Sequence, residues 1–206
     1  MEYYQATFDF NQTIKGLPAG TYQVRVQAFQ RPGTSTNAYN AYVSGNANVT
    51  THLYANTASE KIRHIASEAQ TTKLGGEESA VGTSTTMYMP NNMHAASIYF
   101  GKGLYDNTVT TELKTENASL KIGLRCSSSS DYYWTIFDNF RLYYYGSMGK
   151  DAVSDIEELE TSVLQSPTDV YSVTGVRLRT QAGGLDDLPS GIYIIGNRKV
   201  WVGYRK

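Results

Sequence analysis

Cysteine is all but missing from this chain. Cys126 stands alone, so no disulfide forms within it and sulfur says nothing about its compartment. Long apolar runs are absent as well, and nothing approaches the roughly 18 residues of a membrane-spanning helix. Charge is scarce, at 18% of residues with a net charge of -1, which removes the electrostatic case for nucleic acid or an anionic membrane surface. The three histidines, His52, His64 and His94, show no metal-ligand spacing, and no Gly-x-Ser-x-Gly elbow occurs. A glycosidase needs two carboxylates facing each other across a cleft. Here the acids gather in a Gly-rich stretch (Glu77, Glu78) or a linker-like one (Asp155 to Glu160). These absences argue against an enzyme.

What the chain has instead is tyrosine, 17 residues against 6 Phe and 2 Trp. Tyr joins a large apolar ring to a hydroxyl, which suits both sheet cores and wet binding faces. The 206 residues allow one sizeable domain plus a small one. The opening "MEYYQATFDF" runs straight into strand-like sequence with no signal peptide, and reads as a piece of a longer chain.

Period-2 alternation dominates the first part. In "TYQVRVQAF", Tyr22, Val24, Val26 and Ala28 share one face, and Gln23, Arg25 and Gln27 take the solvent face. "SLKIGLRCS" repeats the pattern with Leu120, Ile122, Leu124 and Cys126 inward, and "QATFDFNQTI", "ANVTTHLYA" and "TVTTEL" add further strands. "KGLPAGT" supplies the turn between the first two. Two short helices interrupt. "SEKIRHIASEA" places Ile62, Ile65, Ala66 and Ala69 on one helical stripe after a Ser59 cap, and "PNNMHAASIYF" starts from a cap at Asn91 or Asn92. The polar, Gly-rich "TTKLGGEESAVGTSTT" between them reads as a mobile loop. The last strand, "WTIFDNFRLYYYG", puts Trp134, Ile136, Asp138, Phe140, Leu142 and Tyr144 in one row, and Asp138 is the only charge among them. From these patterns we expect an all-β antiparallel sandwich over residues 1–146 with short helical excursions. A linker with about one helical turn follows over 147–166. A small β-rich block closes the chain at 167–206, its hairpins turning at Thr174-Gly175 and Gly196-Asn197.

The combination of "FDFNQTIKGLPAGTYQVRVQAFQRPG", "HLYANT", "YMPNNMHAASIYFGKGLYDNTV" and "LKIGLRCSSSSDYYWTIFDNFRLYYYG" resembles the galactose-binding-like jelly-roll modules of polysaccharide-degrading Gram-negative bacteria, and is broadly similar to carbohydrate-binding-module families 6 and 35. The tail "DVYSVTGVRLRT" with "LPSGIYIIGNRKVWV" resembles the C-terminal sorting segment of type IX secretion. Together these imply a non-catalytic carbohydrate-binding module of a larger secreted or cell-surface protein. Its partners would be an oligo- or polysaccharide and a neighbouring catalytic domain. A spacer or protein-docking sandwich with no sugar ligand is the alternative.

In such an architecture the sugar contacts come from loops at one end of the sandwich. Aromatic faces meet the C–H side of a pyranose, and planar amides or Arg fork its hydroxyls. The candidates are Arg31, Asn37, Tyr39, Asn40 and Tyr42, then Asn91, Asn92 and His94, then Tyr132 and Trp134. Against them stand plainer roles: Trp134 begins the inward row of its strand, and Arg31 could pair a carboxylate across a loop. For Asp138 the resemblance implies a structural calcium, with Glu2 and Asp9 as the only acids nearby on the first strands. The other reading is that Asp138 accepts hydrogen bonds from backbone amides or a buried Tyr.

Overall fold

Two sheets meet where the apolar rows of the alternating strands face each other. The computed structural model describes residues 1–154, 156–158, 168–182, 188–195 and 198–202. The chain divides into two units, Met1–Met148 and Gly149–Lys206. The first is mostly β. It contains β1 (Glu2–Tyr4), β2 (Phe8–Leu17), β3 (Gly20–Arg31), α1 (Ser35–Val43), β4 (Thr51–Ala55), β5 (Ala58–Lys61) and β6 (Arg63–His64). A 3-10 turn at Ile65–Glu68 follows, then β7 (Glu78–Val81), β8 (Met87–Pro90), α2 (Met93–Gly101), β9 (Asp106–Leu113), β10 (Ala118–Cys126) and β11 (Trp134–Tyr144).

In the first sheet β11 lies between β1 and β3. The far side of β3 is shared by β9, antiparallel, and the short parallel β6. The second sheet runs β2-β10-β4-β5, all antiparallel. Between the sheets lie Tyr22, Val24 and Val26 of β3, Leu53 of β4, Leu120, Ile122 and Leu124 of β10, and Phe137 of β11. Gly123, on the opposite face of β10, allows β2 to run close beside it, since a Cβ there would sit 2.3 Å from the Phe10 carbonyl oxygen.

A further layer covers the outer face of the first sheet. Ala38 of α1, Ile65 and Ala66, Val81, Met89, and Ala96, Tyr99 and Phe100 of α2 pack on Phe29, Tyr105, Trp134 and Ile136. The hydroxyls of the two fully buried tyrosines are both used here. Tyr105 donates to the Ile65 carbonyl at 2.6 Å, and Tyr99 to Glu78 Oε1 at 2.8 Å. Such pairing is what lets this many tyrosines be buried without a desolvation penalty.

Several expectations change. Gln23, Arg25 and Gln27 do not face solvent but are buried. Their polar ends are satisfied internally: Arg25 Nε donates to Gln23 Oε1 at 2.7 Å, and Gln27 Nε2 to the Phe100 carbonyl at 2.6 Å. The segment "SEKIRHIASEA" is not a helix. Ala58–Lys61 pairs with β4 as an edge strand, and only Ile65–Glu68 coils. Conversely, the loop expected around "TNAYNAY" is α1, capped by Thr34. The Gly-rich stretch holds β7, which pairs with β8. α2 begins as expected, with Asn92 as its cap.

The single face expected for β11 is broken by a bulge. Its register with β3 shifts between Asp138 and Arg141, and Asn139 is left-handed at φ 55°. Trp134 and Ile136 therefore point to the helical layer, whereas Phe140 and Leu142 pack on the sandwich core. Asp138 sits at the flip and is exposed, its Oδ1 accepting from the Asn139 backbone N–H at 2.8 Å. The burial that would have called for a cation is not there. Glu2 and Asp9 are also engaged elsewhere, by Trp134 and by Tyr54 and Lys121.

The second unit has a short helix α3 (Lys150–Ser154) and a sheet in the order β12 (Ile156–Glu158), β16 (Arg198–Val202), β15 (Gly191–Ile195), β13 (Thr168–Ser172), β14 (Arg177–Ala182). Val170, Leu188, Tyr193, Ile195, Val200 and Val202 form its core. Part of the expected linker thus enters this sheet as β12, parallel to β16. The turn at Gly175 is left-handed at φ 84°. The turn expected at Gly196-Asn197 lies outside the described residues.

Candidate functional site

Strand register creates the clearest site. Tyr4 of β1 pairs with Trp134 of β11, and Trp134 with Arg31 at the end of β3, so the three side chains stand abreast on one face. Glu2, two residues back on β1, shares that face. Across from them β8 ends at Pro90, and Asn91 and Asn92 lead into the first turn of α2 with Met93 and His94. The two sides enclose an open cleft of about 670 Å³ lined by Glu2, Tyr4, Arg31, Asn91, Asn92, Met93, His94 and Trp134.

Its floor is Trp134, nearly buried, with its ring edge-on to Phe29 at 5.2 Å and its Nε1 donating to Glu2 Oε2 at 2.8 Å. The Arg31 guanidinium lies 5.2 Å from the Trp134 ring centroid, and one of its terminal nitrogens donates to Asn91 Oδ1 at 3.0 Å. Arg31 Nε is buried without a hydrogen-bond partner. Burial lowers the Arg31 pKa, though a guanidinium stays charged at any physiological pH. Among the described residues no carboxylate pairs with Arg31, so the expected ion pair across a loop does not form there.

The two asparagines are committed to the frame. Asn91 Nδ2 donates to Glu77 Oε1 at 3.3 Å, Asn92 Nδ2 to Glu77 Oε2 at 3.3 Å, and Asn92 Oδ1 caps α2 at the Ala95 N–H, 2.8 Å away. They hold the cleft wall in place. The groups left to meet a ligand are the Tyr4 ring, half exposed, the Arg31 donors, His94 and the second oxygen of Glu2.

Of the ten expected ligand residues, Arg31, Asn91, Asn92, His94 and Trp134 come together here. Asn37, Tyr39, Asn40 and Tyr42 do not line the cleft. They lie on α1, where Tyr39 packs into the helical layer and Tyr42 stacks on His64 with ring centroids 5.1 Å apart. His64 Nδ1 accepts from the Ala66 N–H at 3.1 Å and its Nε2 is buried without a partner, and burial pushes its pKa down to about 4. Tyr132 is exposed on a left-handed turn before β11, also outside the cleft lining. Glu2, Tyr4 and Met93 were not anticipated. A three-residue strand carries too little alternation to be read, and only its pairing with β11 reveals Glu2 and Tyr4.

The chain matches no family model, no curated protein and no solved structure.

Proposed function

We propose that this chain is a non-catalytic carbohydrate-binding module of a larger secreted or cell-surface polysaccharide-processing protein. In this reading its sandwich is a galactose-binding-like jelly roll and its C-terminal unit serves export or attachment. One observation supports the reading above the others: Tyr4, Trp134 and Arg31 stand abreast on three strands and face His94 across a single cleft. Tyr4 offers a flat apolar ring to the C–H face of a pyranose. Arg31 lines the cleft with a planar guanidinium whose terminal nitrogens are the kind of group that forks neighbouring hydroxyls. Glu2 adds an acceptor on the same wall.

A glycan array on the 206-residue chain finds the ligand, and titration of Tyr4→Ala and Arg31→Met tests the site. Each substitution is expected to weaken binding about tenfold or more, the range of a lost stacking face or buried donor. Retention of a confirmed glycan by both variants moves the site elsewhere. An array without a single glycan hit leaves the sandwich a spacer or docking module.

A further inference from the structure

The outward face of the second sheet carries an ordered set of charges that the cleft does not use. Strand register arranges them in rows. Asp9, Arg125, His52 and Lys61 lie abreast on β2, β10, β4 and β5, and the next row reads Asn11, Gly123, Tyr54 and Ser59. Lys121 follows beside Thr13. Two cations cover the central ring: Arg125 Cζ lies 5.4 Å and Lys121 Nζ 5.7 Å from the Tyr54 centroid. Tyr54 OH donates to Asp9 Oδ1 at 2.6 Å, and Lys121 bridges Asp9 Oδ2 at 3.5 Å. Three cations (Lys61, Lys121, Arg125) thus face one carboxylate (Asp9), a net of +2 on a chain whose total is -1. Among the described residues Arg125 and Lys61 have no carboxylate partner, and both are exposed.

We infer that this face binds a carboxylate-bearing polysaccharide lying across the strands. The arrangement fits a polymer better than a single ion. Arg125 and Lys61 are two strand spacings apart, roughly 10 Å, and Arg125 and Lys121 are four residues apart on one strand, roughly 13 Å. At Gly123, between Arg125 and Lys121 on β10, the strand itself carries no side chain, and Asn11 of β2 lies close against it. Asn11, Thr13 and Ser59 around it are exposed and suited to hydroxyls, and the planar fork of Arg125 matches a carboxylate. Other polyanions fit less well. The face presents no exposed apolar side chain to enter a lipid surface, and its one aromatic ring is covered by cations and closed to base stacking. The surface is independent of the cleft, which belongs to the other sheet.

The test is titration of the full chain with polygalacturonate, beside a neutral galactan, dextran sulfate, single-stranded DNA and phosphatidylserine vesicles. Polygalacturonate is expected to bind, the neutral polymer far more weakly, and raising salt from about 50 to about 500 mM is expected to weaken binding about tenfold or more. Arg125→Gln with Lys61→Gln should cost about tenfold, while Asp9→Asn should tighten binding. Because Arg125 and Lys61 are exposed, the double variant should keep the parent melting temperature within about 2 °C, so lost binding is not lost folding. Tyr4→Ala with Arg31→Met in the cleft should leave polygalacturonate binding unchanged, which separates failure of this surface from failure of the cleft. Equal binding of galactan overturns the inference, as does an unaffected double variant. So does tighter binding of dextran sulfate, DNA or vesicles than of polygalacturonate.

Discussion

β3 and β10 carry the same alternation of apolar and polar residues, yet the structure uses their polar rows in opposite ways. In β10 the row of Lys121 and Arg125 stays at the surface. In β3 the row of Gln23, Arg25 and Gln27 is buried, with every one of them held by a neighbouring polar group. The two rows differ in chemistry. Glutamine amides and a single Arg stacked on Tyr143 can be satisfied inside. Lysine near water has no reason to leave it. The outer face of the first sheet gains a helical layer for the same reason, because Phe29, Trp134 and Ile136 there leave a large apolar area to cover.

The sharpest break of this comparison is Phe29→Ala. Phe29 is fully buried against Phe100, Tyr105 and Trp134, and its truncation should cost about 3–5 kcal/mol in urea unfolding. Arg125→Ala on the other face should stay within about 0.5 kcal/mol. Comparable losses at the two positions would mean that the second sheet is covered in solution.

The next effect is a pH dependence seated in the helical layer. His64 has its folded pKa depressed to about 4, so the folded state binds fewer protons than the unfolded chain. Its contribution is fully present above its unfolded value of about 6.5 and is lost as pH falls toward 4, a difference of roughly 2–3 kcal/mol. Melting curves at pH 7.5 and 4.5, as experimental settings of about those values, should show a smaller drop for His64→Gln than for the parent. Parallel drops would remove His64 as the cause.

The smallest expected effect concerns Asp138. With its carboxylate exposed and bonded to the Asn139 N–H, adding calcium after chelation should move the melting temperature by less than about 1 °C. A larger rise would show that a cation binds at the bulge.

How far the residues alone led can be traced element by element. The inward row of β10 and the cap at the Asn91-Asn92 pair were legible, because each depends on neighbours in sequence. α1 escaped notice because "STNAYNAYV" has no apolar stripe. The helix drawn over "SEKIRHIASEA" failed because Ala58–Lys61 finds an edge of β4 to pair with, and pairing outweighs a weak helical period. Five of the eight cleft residues were visible in the sequence, whereas Glu2 and Tyr4 needed the register of β1 on β11.

Local pattern therefore determined that this is a β protein and which rows of β3 and β10 face its sandwich core. Tertiary structure decided the rest: which polar row is buried, where β11 turns over at Asn139, and which side chains share a cleft. The physical reason is that alternation and capping act within a few residues, while a bulge, a covering layer or a row across strands depends on partners tens of residues away.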